Sequence, residues 1–340
     1  MSNGRSRNVP RRRAPVLDGK IVLWLALVAA IAAVAFLVPT IKAWLENGKP
    51  SRVPAGVHLV ETPVGGLSEN ELRATVHDLA RRYETPPVDA CWDERTGSVR
   101  PERDGVALDV EATVAACLEA ARGARVEPVL VRLPASIRRD FFAEVDSGDG
   151  RKRVVAFMFN VAWGEEYLDQ ILDRLEANAG KSTFFLDGAW VQKFPERVKA
   201  IHERGHEVAN HGYRHDHILD MPRDGLVDLI RKNEDLLRTA TGAEPARLFA
   251  PPYGERDARI IRTAAELGYR TVMWTIDTLD WRRPPPEEIA GKVLRKLVNG
   301  AFVLMHPTEQ TVKALDLLLP ELKAKGFQLV TVTDALGTGP

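Results

Sequence analysis

The stretch EVANHGYRH, residues 207–215, joins a short apolar segment to two histidines that stand four residues apart. Its apolar part predicts a strand, and the polar residues that follow predict the loop in which that strand ends. In a tight loop this spacing brings His211 and His215 to one side, where both imidazoles can bind one metal ion. Neutral imidazole suits zinc and neighbouring divalent metals. Two ordinary packing or surface histidines are the alternative interpretation.

Short apolar runs alternate with helical patterns on both sides of this stretch, from about residue 153 to residue 337. Strands are expected at 154–159, 182–186, 207–209, 248–249, 271–274, 302–305 and 328–332, and helices at 166–177, 195–204, 226–239, 256–267, 286–297 and 311–325. Repeated strand–helix units imply an α/β fold with a parallel sheet. The polar motifs follow the predicted strands, at the end where α/β barrels build their sites.

Four further motifs accompany the histidine pair: FMFNVAWG (157–164), FAPPYG (249–254), WTIDTLDW (274–281) and VLMH (303–306). With it they resemble, in order, the five motifs of the polysaccharide deacetylase family, also called the NodB-homology family or carbohydrate esterase family 4. The first motif resembles the sporulation-type branch in its Val-x-Trp-Gly. The resemblance covers about residues 153–337 and implies an irregular (β/α) barrel of about seven strands.

The resemblance implies metal-dependent hydrolysis of N-acetyl groups on a glycan. An amide resists water, so the reaction needs a metal to polarise the carbonyl, a base to activate water and an acid to protonate the amine. The family assigns His211 and His215 to a divalent metal, with zinc as the first candidate, and His306 to the acid. Asp277 and Asp280 take the positions of positioning carboxylates. Substrate contacts are expected at the aromatic and proline positions of the motifs: Trp163, Pro252, Tyr253 and Trp281.

Three positions depart from the family pattern. Asn160 stands where the family has its base, and an amide cannot accept a proton at neutral pH. Val161 stands where the family has a metal-binding aspartate, a replacement typical of the sporulation-type branch. Ala250 replaces the arginine that orients the base. Glu165 and the glutamate after it lie on the same loop and could substitute for the base, although carboxylates at a helix start often serve only the helix dipole.

Two functions therefore stay open. One is a deacetylase that acts on a cell-wall glycan such as peptidoglycan with a non-standard base. The other is a catalytically inactive protein of the same fold that binds wall glycan or a partner. The chain's formal net charge of zero gives no reason to expect a nucleic-acid partner.

An uncharged apolar run at 21–41 is long enough to span a bilayer as a helix. The preceding tail, 1–20, carries six Lys and Arg residues against one acidic residue, so the positive-inside rule places it in the cytoplasm. We therefore expect a single-pass protein of the cell membrane with its main domains outside. A cleaved signal peptide is the alternative, but the run is long and no clear small-x-small cleavage site follows it.

Residues 50–137 are expected to form a small α+β domain, and 138–152 a linker to the larger domain at 153–337. Ser68 and Glu71 have the spacing of a capping box, which predicts a helix start. The Gly-Gly-Leu-Ser and Leu-Asp-Val patterns of this segment resemble putative peptidoglycan-binding modules; a simple spacer is the alternative. Cys91 and Cys117 could form a disulfide outside the cytoplasm or remain as two buried thiols.

Overall fold

A computed structural model describes residues 52–337. The predicted basic tail and transmembrane helix lie outside this range, and within it no helix has the length and apolar character that crossing a bilayer requires. The described residues form two compact units. The first combines 52–84 with 106–131, and the second combines 85–105 with 132–337.

The smaller unit is built from two helices, Glu69–Tyr83 and Val110–Leu118, and a three-stranded sheet of His58–Leu59, Thr62–Pro63 and Arg125–Val126. The predicted capping box is confirmed, since the Ser68 hydroxyl accepts from the Glu71 amide and the Glu71 carboxylate accepts from the Ser68 amide. A capping box satisfies two amides that a helix start leaves free. Leu72, Val76 and Leu118 belong to the apolar core of the smaller unit. Both cysteines carry free thiols, so the disulfide alternative is not adopted.

The larger unit contains eight strands in one sheet. We label them β1 (Val154–Val161), β2 (Thr183–Leu186), β3 (Glu207–Asn210), β4 (Leu248–Phe249), β5 (Arg270–Thr271), β6 (Ile276–Asp277), β7 (Ala301–Met305) and β8 (Gln328–Val330). Their order is β5-β4-β3-β2-β1-β7-β6, with β8 beside the first half of β1, and all these pairings are parallel. The parallel α/β prediction is therefore confirmed. The expected count of about seven strands was one too low.

The additional strand is β6, which lies after the segment predicted as one strand at 271–274; of that segment only Thr271 belongs to β5. These two strands lie at opposite ends of the sheet path and do not pair with each other within 52–337. Between them Met273 donates its amide to the Val145 carbonyl and Thr275 donates to the Phe302 carbonyl. The chain thus crosses from one end of the sheet to the other here, and the sheet is an open half-barrel.

The helices of this unit are Leu168–Ala177, Gly188–Lys193, Pro195–Glu203, Arg223–Thr241, Ala258–Glu266, Pro286–Lys296, Glu309–Ala324 and Val332–Leu336. The predicted linker contains a 3-10 helix, Arg139–Phe142, and its Val145 forms a bridge with Val272 beside the sheet. The segment belongs to the larger unit. Backbone amides and carbonyls of this polar segment form hydrogen bonds with the sheet, which is why the segment packs against the larger unit.

Strand β1 is buried along its whole length, and its residues alternate between two apolar clusters. Phe157, Phe159 and Val161 pack with the helices, whereas Ala156 and Met158 pack with residues of β3, β4 and β7 on the other face. Successive strand side chains point to opposite faces. Asn160 therefore shares the face of Met158, and Val161 faces the helix layer.

Candidate functional site

A cavity of about 440 Å³ opens where the strands of the larger unit end. All five motifs contribute to it, because the carboxyl ends of parallel strands meet at one edge of the sheet. Its lining residues are Asn160, Ala162, Trp163, His211, His215, Tyr253, Gly254, Trp274, Asp277, Trp281, Leu304 and His306.

The predicted histidine pair is brought together at the end of β3. The ring centroids of His211 and His215 lie 5.1 Å apart. His211 is fully buried and its Nδ1–H donates to the Ala250 carbonyl at 2.7 Å, which leaves Nε2 with its lone pair available. Burial, and then the neighbouring His215, lowers the pKa of His211 to about 3, and burial also lowers the pKa of His215. Both rings are therefore neutral near pH 7, the form that binds metals.

The loop that carries these rings is fixed by a buried amide network. Asn210 accepts from the Gly212 amide at 2.8 Å and donates to the Ile230 carbonyl at 2.9 Å. Asn233 donates to both the Asn210 side chain at 3.0 Å and the Leu186 carbonyl at 2.7 Å. Ile230 and Asn233 both lie on the helix Arg223–Thr241, so these bonds tie the loop to that helix and, through Leu186, to the end of β2. The position of His211 is therefore set by the surrounding fold.

The donor set falls short of a complete metal site. A catalytic zinc site normally has three protein ligands. Among residues 52–337, no group of three or more His, Cys, Asp or Glu side chains is placed to hold a metal. Val161, at the family's third-ligand position, is fully buried in the apolar helix-side cluster. The two imidazoles can bind a divalent ion, but the described residues do not complete its coordination.

The base position is occupied by a buried amide. Asn160 is 5% exposed, and its Oδ1 has no hydrogen-bond partner among the described residues. Ala250 is fully buried in the inner apolar cluster beside Met158 and Phe302. Glu165 opens the short 3-10 helix Glu165–Tyr167 and does not line the cavity. Among residues 52–337, Asp277 is therefore the only carboxylate that lines the cavity.

His306 is held by a buried carboxylate. Its Nδ1 lies 2.8 Å from Asp280 Oδ1, and its backbone amide donates to Asp280 Oδ2 at 2.6 Å. Thr311 donates to the same Oδ2 at 2.6 Å, and Asp280 is fully buried. This arrangement fixes the imidazole with Nε2 free on the cavity side, as a proton donor to a leaving amine requires. Thr311 was not predicted, because it lies on the helix after the last motif.

Three exposed aromatic rings surround the cavity: Trp163 is 44% exposed, Tyr253 is 56% exposed and Trp281 is 48% exposed. Large apolar side chains that are this exposed and grouped around a cavity mark a binding site more often than a packing accident. Pro252, by contrast, is buried beneath Tyr253's turn. The rim therefore presents flat apolar faces that suit the faces of sugar rings.

Tyr253 is held over the histidine pair by contacts that the sequence did not reveal. Its ring packs edge-on against His215, with centroids 4.2 Å apart, and stacks on His217 at 4.3 Å. Glu255 accepts from His217 Nδ1 at 2.5 Å and from the Ile218 amide at 2.7 Å. Glu255 thus ties the third motif to the second. In the sequence, the only indication of this contact is that a carboxylate, Glu255, stands two residues after Tyr253.

Family models and known proteins match both units of this chain. The family model for polysaccharide deacetylase matches residues 147–272, and that for a putative peptidoglycan binding domain matches 41–127. The uncharacterized protein YlxY of Bacillus subtilis is 33% identical over 271 residues, which are 79% of this chain and 84% of YlxY. A peptidoglycan-N-acetylglucosamine deacetylase of Bacillus cereus is 34% identical over 202 residues, 58% of this chain and 73% of that protein.

Among solved structures, BA3943 of Bacillus anthracis, described as a family 4 carbohydrate esterase pseudoenzyme, is 33% identical with a TM-score of 0.57. The match covers 78% of this chain and 94% of BA3943. A BA3943 mutant described as having restored enzymatic activity matches with 31% identity and the same TM-score, over 78% of this chain and 97% of the mutant. Sequence, fold and motif order together place this chain in the polysaccharide deacetylase family, carbohydrate esterase family 4.

Proposed function

We propose that this chain binds a cell-wall glycan, peptidoglycan in the first place, in a deacetylase cavity that no longer hydrolyses N-acetyl groups. The observation that carries the proposal is the amide of Asn160 at the position of the base. In the part of the chain that the structure describes, Asp277 is the only carboxylate that lines the cavity. Losing a general base lowers a rate by about 10²–10⁴-fold, which is enough to abolish useful turnover.

Several features support retention of binding. The three aromatic rings of the rim, Trp163, Tyr253 and Trp281, line the cavity and are exposed to solvent. The match to a putative peptidoglycan binding domain at 41–127 supports the same class of ligand. The pseudoenzyme among the similar structures supports a protein of this fold without turnover.

The test is acetate release from peptidoglycan and from N-acetylglucosamine oligomers, with zinc supplied. We expect no release by the native full-length chain, together with measurable binding of the oligomers. Asn160→Asp combined with Ala250→Arg should raise the rate by at least about 10²-fold, because it restores a base and its cation. His306→Ala added to that double variant should abolish the gain and provides the matched control. Native release that the double change does not increase would contradict the proposal.

A second candidate function is a deacetylase that works with a different base. The observation that favours it is the intact pair of His306 and Asp280, which holds the imidazole in the orientation that a proton donor needs. In that case Asp277, the carboxylate on the cavity wall, is the residue to test. Asp277→Asn would then abolish native acetate release.

We further propose that the run at 21–41 anchors the chain in the cell membrane, with the tail 1–20 in the cytoplasm and the remainder outside. The support is the length of the uncharged run and the basic residues before it. A cysteine-accessibility assay on intact cells tests the orientation: a reporter cysteine near the C-terminus should react with an impermeant reagent, and one within the tail should not. The reverse result would invert the topology.

A further inference from the structure

A groove of about 680 Å³ lies beside the cavity within the larger unit. It is lined by Trp92 of the strand Cys91–Asp93, by residues at and after the end of the 3-10 helix Arg139–Phe142, and by residues around the start of the helix Ala258–Glu266. Two of these three elements precede residue 147, where the match to the deacetylase family model begins. The groove is therefore an addition to the part of the fold that this family model covers.

The wall of the groove adjoins the wall of the cavity along two routes through the chain. Arg256 lines the groove, and its Nη1 donates to the carbonyl of Gly254, a cavity residue, at 3.2 Å. Along the second route, Glu144 lines the groove, while the next residue, Val145, accepts from the Met273 amide at 2.7 Å, one residue before Trp274 of the cavity wall. The groove residue Arg256 is thus in direct contact with Gly254 of the cavity wall.

The lining combines aromatic rings with paired charges. Trp92 and Phe142 provide apolar surface, and the Arg262 guanidinium lies 5.1 Å from the centre of the Trp92 ring. The three arginines of the groove each have an acidic partner: Arg256 with Glu144, Arg259 with Asp257, and Arg262 with Glu94.

The paired charges decide between classes of ligand. No arginine is left to attract an anionic polymer, which would need an excess of cations. Fixed guanidinium and carboxylate groups beside aromatic faces suit a neutral ring that has an apolar face and a rim of hydroxyl and amide groups. That description fits an N-acetylated sugar.

We propose that this groove binds the sugars of the glycan strand that flank the one in the cavity. The inference rests on the proposed glycan binding and extends it, because it makes the ligand a polymer rather than a single sugar. The groove would then increase affinity for long strands and leave the affinity for short ones unchanged.

The test measures binding of N-acetylglucosamine oligomers, from the disaccharide to the hexasaccharide, to the full-length chain in detergent by calorimetry. Native affinity should rise with oligomer length. Trp92→Ala should lower hexasaccharide affinity about tenfold, which corresponds to about 1.4 kcal/mol, and leave disaccharide affinity unchanged. Arg256→Ala should act in the same direction, and it is the variant to rely on if Trp92→Ala does not fold, because the Arg256 side chain is 39% exposed.

Arg197→Ala is the matched control, because Arg197 is 38% exposed and also belongs to one surface ion pair, with Asp169. It should change neither affinity. Short oligomers that bind without a gain for longer ones would overturn the groove proposal and leave the proposed function intact. An equal gain in the native chain and the Arg256→Ala variant would overturn it as well. Absence of binding at every length would overturn the proposed function itself, and the groove with it.

Discussion

Replacing Asp280 by Ala should destabilise the larger unit strongly. The carboxylate is fully buried and accepts from the His306 amide, from His306 Nδ1 and from the Thr311 hydroxyl. Removing the carboxylate leaves these three donors without their acceptor. The Thr311 hydroxyl can rotate towards Thr308, which lies 2.8 Å away, and the imidazole, 18% exposed, can turn towards solvent. The backbone amide of His306 has no such freedom.

The loss in the free energy of unfolding follows from these three donors. One stranded backbone amide and two weakened side-chain bonds, at about 1–3 kcal/mol for each group left unsatisfied, amount to roughly 2–5 kcal/mol. In a domain of this size each kcal/mol lowers the melting temperature by about 2–4 °C, so we expect a decrease of roughly 4–20 °C. Asp280→Asn should cost less, because its carbonyl can still accept from the amide and from Thr311.

Thermal unfolding of the full-length chain, followed by circular dichroism, measures the effect. Asp316→Ala is the matched control, since Asp316 is 55% exposed and pairs with Arg174 on the surface. Exposed ion pairs contribute at most about 1 kcal/mol. If Asp280→Ala lowers the melting temperature no more than Asp316→Ala does, the reasoning about the buried carboxylate is wrong.

Three further predictions follow from the described residues. Burial raises the pKa of Asp187 from 3.8 to about 6, so this carboxyl stabilises the fold fully at low pH and loses that contribution as the pH rises through about 6. The free energy of unfolding of Asp187→Asn, measured in urea, should therefore rise by about 3 kcal/mol relative to that of the native chain between about pH 4 and pH 7. A difference between the two proteins that does not change with pH would contradict this prediction. Gly164→Ala should cost more than Gly242→Ala, because both have positive φ but only at Gly164 would a Cβ lie 2.2 Å from the Pro307 carbonyl oxygen. Equal melting temperatures would argue against the clash. Glu165→Gln should leave the acetate-release rate of the reactivated double variant unchanged, because Glu165 does not line the cavity; a large decrease would show that Glu165 takes part in the reaction.

Much of the fold could be predicted because its signals are local. The apolar run of β1, the capping box at Ser68 and the alternation of strands and helices depend on residues close together in the chain. The short helices Gly188–Lys193 and Val332–Leu336 were missed, since such short segments show little periodicity. Strand β6 was missed, and the strand at 271–274 was predicted too long, because the residues after Thr271 find partners in distant segments, at Val145 and Phe302.

The sequence by itself determined the chemistry available at the site. An amide at Asn160 cannot act as a base in any conformation, and five motifs in order identified the family before any coordinates. Which side chains converge was decided only by the tertiary structure. It placed Glu165 outside the cavity lining, turned Val161 towards the helices, and joined Glu255 to His217 across two motifs. Such contacts depend on how distant strands pair and on which face each residue occupies, and local sequence does not encode either.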